Sequence, residues 1–345
     1  MDTRELSTVI YERDGPVARI VLNTPEKANT QSAQQVEDME SCLDWAEHDD
    51  EVKVLVLKAN GKGFCAGHAI VEREEMAEVY PGAGHTPEST WKKHNYDLFL
   101  WPPLRLWEFP KATIAQVHGY CLGGGTVYGY LPDLTIASDD AYFQMPLPQG
   151  FALPGAQTMI EPWLLMSWKR TAEYLYLSPT LSAAEAMEWG LVNRVVAAAD
   201  LERTVEEIAA QIAQMPLTTI MVIKAGIKRA WELMGMRVHV QNTTDLLTIA
   251  SGATDVQAFM ASRAGLRPRQ MAARRLADAA EHTAGADVGG ADVGESDVAG
   301  ADVGESDGGE TDVVEAEGAG TALGGADVGD RETSRGGADA TERKP

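Results

Sequence analysis

Val117-His118-Gly119-Tyr120-Cys121-Leu122-Gly123-Gly124-Gly125-Thr126 runs from an apolar strand, Thr113 to Val117, into a helix expected to begin near Thr126. With no Cβ at Gly123 to Gly125, a ligand can approach the main chain closely. The N–H groups at a helix start lack intrahelical acceptors and carry partial positive charge. Such a turn suits an anion or an oxyanion. Glycines there also serve tight turns and close helix–strand packing, so this stretch alone leaves both readings open. A second stretch, Gly61-Lys62-Gly63-Phe64-Cys65-Ala66-Gly67-His68-Ala69-Ile70, follows the apolar run Val52 to Leu57 and again places small residues where a strand ends. Two strand ends can supply one N–H each.

Outward from these turns, the pattern is α/β. Thr8 to Tyr11 and Val17 to Leu22 alternate as a hairpin with Asp14-Gly15 in its turn. From Gln31 to His48 the spacing becomes helical, with Val36, Met39, Leu43 and Ala46 on one face and acidic residues on the other. Val52 to Leu57 then reads as a buried strand, and the strand–helix–strand unit repeats through Thr113 to Val117. Residues 72–109 are the variable part, with a loop at Pro81-Gly82-Ala83-Gly84 and a helix around Trp91 to Leu106. Trp91, Trp101 and Trp107 read as pocket lining or as core and interface. His94, beside Lys92 and Lys93, reads as a solvated helix face, and His85 has no visible partner. Ala141 to Pro146 reads as a strand, and Gly150 to Gly155 as a loop entering a helix that Pro162 bends or restarts. Further helices are expected at 182–190, 201–213, 217–231 and near 255–264.

The chain has 345 residues and a net charge of −23. Residues 281–345 hold 17 acidic and 4 basic side chains, which leaves −10 on the body, and that charge argues against nucleic-acid binding. Three widely spaced cysteines, Cys42, Cys65 and Cys121, show no metal-ligand pattern, and the N-terminus lacks a basic-then-apolar leader, so a reduced cytoplasm is expected. No apolar run is long enough for membrane insertion. The stretch 281–345 contains a five-residue repeat beginning Ala286-Asp287-Val288-Gly289-Gly290 and no aromatic residue. Pentapeptide β-helices and calcium-binding repeats share such features, but low hydrophobicity with high charge cannot offset ordering entropy. The expected organisation is therefore one domain over 1–280 and a disordered acidic tail over 281–345. A scaffold role for that tail toward a cationic partner rests on charge alone and should fade with salt.

The two turns together resemble the enoyl-CoA hydratase/isomerase (crotonase) family, whose signatures are an A-G-x-[DN] turn and a later G-G-G turn. The resemblance extends over Val9 to Pro268. It includes Asn23-Thr24-Pro25-Glu26-Lys27-Ala28-Asn29, Asp133-Leu134-Thr135-Ile136-Ala137-Ser138, Ala141-Tyr142-Phe143, Leu153-Pro154-Gly155 and Ala186-Met187-Glu188-Trp189-Gly190-Leu191-Val192. It implies a spiral of ββα units, a C-terminal helical region that packs into a homotrimer or dimer of trimers, and an acyl-CoA thioester as substrate. Coenzyme A is then part of the substrate, and no separate cofactor is implied. The resemblance also assigns the oxyanion hole to the backbone N–H groups of His68 and Gly124, and coenzyme A contacts to Lys27, Ala28, His68, Ala69, Ile70 and Gly124. Lys27 reads equally well as a surface lysine.

Departures from the family pattern bear on the reaction. Family hydratases hold water with two glutamates, and the matching positions here are Val127 and Leu147. The carboxylate position of dienoyl isomerases falls at Gly155, the tyrosine of a decarboxylase relative is absent, and the usual aspartate of A-G-x-D is Ala69. The acid–base candidates that remain are His68, Glu72 and Glu161, with Tyr128 and Tyr142 weaker. The His68 ring either meets the acyl group or packs beside the turn. Glu161 is either catalytic or a surface or interface charge. The expectation is an acyl-CoA lyase or isomerase of unresolved reaction, with a catalytically weak acyl-CoA binder as the alternative.

Overall fold

Val17–Leu22 (β3) is buried at every residue, as a strand covered on both faces must be. Its one charged member, Arg19, is accommodated by a fork of hydrogen bonds to the Glu206 carboxylate, with Nε donating to Oε1 at 2.7 Å. The computed structural model describes residues 1–69, 87–153, 160–165 and 167–263, with single positions at 266, 270, 274 and 277. The chain divides into units 1–290 and 291–345, and the second lies outside the described residues, as does the expected tail.

Around β3, seven strands form one sheet in the order β1-β2-β3-β4-β5-β7-β10. The strands are β1 (Asp2–Glu5), β2 (Val9–Asp14), β4 (Val54–Ala59), β5 (Ala112–Val117), β7 (Leu134–Ser138) and β10 (Arg194–Val196). β1 to β3 are antiparallel, and from β3 onward each neighbour is parallel. The hairpin register pairs Asp14 with Val17, leaving Gly15 and Pro16 as the turn with Gly15 at φ 54°. A second sheet, order β6-β8-β9, joins Tyr120–Leu122 (β6), Tyr142–Gln144 (β8) and Leu181–Ser182 (β9).

The helix expected after Gln31 spans Ala33–His48, and Ser32 caps it by accepting from the Gln35 N–H. Its acidic residues are not all outside. Asp38 is 4% exposed and turns inward to accept both the N–H (2.8 Å) and the hydroxyl (2.7 Å) of Thr8. With Gln34 Nε2 donating to its other oxygen at 2.9 Å, this buried carboxylate is hydrogen-bonded at both oxygens, and it ties the helix to the start of β2.

Elsewhere the observed elements depart from the expected ones. The glycine-turn helix begins at Gly124 rather than Thr126 and runs to Tyr130. Leu147–Phe151 is helical, so Gly150 lies inside a short helix and not in a loop. Pro162 falls in the first turn of Glu161–Leu165, where its missing N–H has no intrahelical role to lose. Helices at Ala183–Glu188, Leu201–Ala213, Leu217–Leu233 and Thr254–Ala261 match their expected places, but a sixteen-residue helix at Met236–Ser251 stands where the sequence pattern predicts none.

The segment before the glycine turn is also wound differently from expectation. Thr90–Leu100 is a π-helix that passes directly into an α-helix at Trp101–Glu108. Pro102 and Pro103 lack the N–H groups that an α-helix would aim at the carbonyls of Leu98 and Phe99, and the Trp101 N–H instead reaches the Tyr96 carbonyl. The wider winding brings residues five apart onto one side, where an α-helix would separate them by about 140°. Trp91 meets Tyr96, His94 meets Phe99, and Tyr96 meets Trp101.

Candidate active site

β4 leads into residues 60–69, and β5 leads through β6 into the Gly124–Tyr130 helix, so the two strand ends converge. They are joined by main-chain bonds: the Leu122 N–H donates to the Cys65 carbonyl at 2.9 Å, within a parallel bridge from Cys65 to Cys121. Glycine is required where these backbones touch. A Cβ on Gly119, at φ 55°, would lie 2.2 Å from the Lys62 carbonyl oxygen, and one on Gly125 would lie 2.5 Å from that of Cys65.

Gly67, at φ 88°, sits against the glycine turn itself. A Cβ there would be 2.8 Å from the Leu122 oxygen and 2.9 Å from the Gly124 nitrogen. Next to it, His68 bridges Gln31 in parallel register, with Gln31 N–H donating to the Gly67 carbonyl and Ala69 N–H donating to the Gln31 carbonyl, both at 2.8 Å. Because alternate residues of an extended chain present their amides to opposite edges, the His68 N–H faces away from Gln31. Gly124 is the first residue of its helix, where the N–H has no intrahelical acceptor. Among the described residues neither N–H is donated to a protein acceptor. Two such donors at neighbouring strand ends are the kind of group that can stabilise an oxygen carrying negative charge.

Val127 is 2% exposed, one turn along the helix from Gly124, and Leu147 packs against the core. The His68 ring covers the turn, since a Cβ on Gly124 would lie 2.7 Å from its Nε2. That ring lies 3.9 Å from Phe99 between centroids. Burial, with a further contribution from His94, pushes the His68 pKa down to about 3, so the ring is neutral at ordinary pH. Cys65 and Cys121 are buried beneath the turns with their thiols pushed up by desolvation, Cys65 to about 12, so both are inert packing.

The other sequence candidates are spread out. Lys27 ends a short 3₁₀ turn, Pro25–Lys27, and is exposed, while Ala28 at φ 56° accepts from the Ala66 N–H and so links that loop to the second turn. Asn29 fixes the loop from inside, its amide donating to the carbonyls of Asn60 and Gly63. Ala69 is half-buried beside His68. Ile70, Glu72, His85 and Gly155 lie outside the described residues.

Glu161 is no surface charge. It is 0% exposed, and among the described residues neither carboxyl oxygen has a hydrogen-bond partner. Desolvation pushes its pKa up to about 7. Its electrostatic neighbours are Tyr130 and Tyr174, whose hydroxyls lie 3.3 Å apart.

His94 is the residue the sequence reading misplaced. It is half-buried, not solvated, because the π-helix turns it onto Phe99 at 4.7 Å, the same ring that His68 covers. The only sequence signal was the five-residue spacing to Phe99, which an α-helical reading places on opposite sides.

The family model for enoyl-CoA hydratase/isomerase matches residues 12–262. The chain is 29% identical over 250 residues to a Mycobacterium tuberculosis protein provisionally named enoyl-CoA hydratase EchA13, covering 67% of this chain and 77% of that one. It is also 29% identical over 257 residues to the 1,2-epoxyphenylacetyl-CoA isomerase of Escherichia coli strain K12, covering 72% and 93%. An enoyl-CoA hydratase/isomerase crystal structure from Xanthobacter autotrophicus Py2 superposes with a TM-score of 0.68 at 29% identity, over 79% of this chain and 99% of that one. The matched span, the parallel sheet and the paired strand-end turns make this chain a member of the enoyl-CoA hydratase/isomerase family.

Proposed function

We propose that the chain acts on an acyl-CoA thioester by stabilising an enolate on the thioester oxygen, with the N–H groups of His68 and Gly124 as donors. The observation that carries this reading is that, among the described residues, neither amide is donated to a protein acceptor at the junction of the two turns. Each such donor contributes on the order of a hundredfold to a thousandfold in rate. Lys27 and Ala28 lie on the loop tied to the second turn and are assigned, with Ala69 and Ile70, to the coenzyme A moiety. The Leu217–Leu233 and Met236–Ser251 helices carry uncovered Val222, Leu233, Val238, Leu246 and Ile249, which fits packing against further copies in a trimer or dimer of trimers.

Within this reading, hydration of simple substrates is disfavoured. Adding water needs a base for the water and an acid for the α-carbon, and positioned groups of this kind contribute about 10² to 10⁴-fold. Val127 and Leu147 can do neither. An apolar wall excludes water and favours rearrangement within the substrate. The test pairs crotonyl-CoA hydration with calorimetric binding of a non-reactive acyl-CoA analogue. The expected result is tight analogue binding with slow hydration. Hydration at about 10 s⁻¹ or faster, an ordinary enzyme rate, would overturn this account of the pocket. Binding without turnover of any member of an acyl-CoA panel would favour the alternative, an acyl-CoA binder.

A further inference from the structure

We propose that Thr126 is the positioning residue of the Gly124 donor, its hydroxyl holding the Gly123 carbonyl so that the N–H of the same peptide stays turned to the thioester oxygen. This rests on the enolate reading above. A trans peptide is planar, with its C=O and N–H pointing in opposite directions, so whatever fixes the carbonyl oxygen also fixes the direction of the N–H. The Gly124 N–H belongs to the peptide whose carbonyl is that of Gly123. Onto that one oxygen Thr126 places two donors, its own N–H at 3.0 Å and its hydroxyl at 2.7 Å.

The peptide so held is the one in this turn that most needs holding. Gly123 sits at φ 53° and ψ −128°, and a Cβ on it would meet nothing nearer than 4.0 Å, so glycine serves there for its dihedral freedom and not for space. With Gly124 beside it, the peptide between them has no Cβ on either side to resist rotation. A half-turn would present the carbonyl to the ligand in place of the N–H. The peptide before it is already tied, since the Gly123 N–H donates to the Gln144 carbonyl at 2.9 Å. Thr126 is 0% exposed, so water does not compete for its hydroxyl. A hydrogen bond on the carbonyl also polarises the N–H across the same peptide, by about 10–30% per bond, which strengthens it toward a developing negative charge.

The other donor is held in the same way. The His68 N–H shares its peptide with the Gly67 carbonyl, and that oxygen accepts from the Gln31 N–H at 2.8 Å. Each donor peptide is thus anchored at its carbonyl oxygen, the first by a main-chain amide and the second by a main-chain amide with a hydroxyl added. Because the Thr126 N–H remains on the Gly123 oxygen when the hydroxyl is removed, a substitution at 126 loosens the hold without leaving a buried carbonyl bare.

Acetoacetyl-CoA tests this, because it ionises to an enolate whose near-ultraviolet absorbance can be titrated on the protein. Butyryl-CoA, which stays neutral, is the control, with its affinity read by calorimetry. Bound to the unaltered full-length protein, acetoacetyl-CoA should ionise more readily than in water. Thr126→Val should lower its ionisation constant on the protein about threefold to tenfold, the worth of one hydrogen bond, and leave butyryl-CoA affinity within about twofold, since donors act more strongly on a charged oxygen. Thr126→Ser keeps the hydroxyl and should restore the ionisation, and Thr126→Ala should repeat the loss, which keeps the test open if Thr126→Val folds poorly. In Gly124→Pro, where the donor itself is gone, adding Thr126→Val should change the ionisation no further. Ionisation unchanged in Thr126→Val and Thr126→Ala, an equal loss for both ligands, or an undiminished effect in the Gly124→Pro background overturns the role of Thr126 and leaves the enolate reading standing. Bound acetoacetyl-CoA that ionises no more readily than in water overturns the enolate reading and this role with it, as does failure to bind either thioester.

Discussion

Gly124 and Gly125 are neighbours with different tolerances, and the difference is a matter of what a Cβ would meet. At Gly125 it would strike the Cys65 main-chain oxygen at 2.5 Å, which cannot move without parting the two strand ends. Gly125→Ala should therefore lower stability by about 1 to 3 kcal/mol, as overpacking does, and a urea titration will show it. At Gly124 the nearest atoms are the ends of the Gln31 and His68 side chains, which can rotate aside. Glu161 makes a separate prediction from its raised pKa. The folded state keeps the proton between about pH 4.5 and about pH 7 while the unfolded chain releases it, so this group's contribution falls as pH rises through that window and levels off above it. Glu161→Gln should raise the melting temperature at pH 8 by more than at pH 5, and an equal change at both would contradict the assignment. The meeting of the two turns was legible because it depends on small residues at strand ends. The burial of Glu161, the inward turn of Asp38 and the seating of His94 were not, since each is decided by what distant segments pack against them.

At the scale of elements, the ββα pattern was legible from alternation and helical spacing, and the π-winding was not. Two adjacent prolines mark where an α-helix loses donors, but which carbonyls then find other partners depends on the helix packed alongside. That support, Met236–Ser251, escaped notice because its inward face mixes Val240, Thr243, Thr244 and Leu247, and threonines do not stand out as a buried stripe. The preceding helix is anchored by a buried lysine. Lys224 is 5% exposed, with its ammonium 2.9 Å from Asp133 and 3.0 Å from the Lys111 carbonyl. Asp133 also accepts from the Thr113 N–H and hydroxyl, so one carboxylate joins the Leu217–Leu233 helix to β5. Asp133→Ala strands that ammonium. The expected loss is about 3 kcal/mol, the low end for a buried pair because Asp133 keeps 32% of its side chain exposed. Chemical denaturation of Asp133→Ala beside Lys224→Met should show the first to be the more damaging.

For the whole molecule, the break in composition near residue 280 predicts that truncation after Ala280 leaves folding and acyl-CoA binding intact. A large fall in melting temperature on truncation would contradict it. No single helix among the described residues is long and apolar enough to cross a membrane. The uncovered apolar side chains of the last helices predict a trimer or hexamer by analytical ultracentrifugation, and a monomer at micromolar concentration would contradict that assembly. The central claim remains the pair of amides at His68 and Gly124. It is tested most directly by the carbonyl stretch of a ¹³C-labelled acyl-CoA bound to the protein, read by isotope-edited infrared difference spectroscopy. Two donors on the thioester oxygen should move the stretch to lower frequency than in water. Gly124→Pro removes one donor at a helix position that otherwise accepts proline, so it should reverse much of that movement. A stretch unshifted from water in the saturated complex would contradict the account.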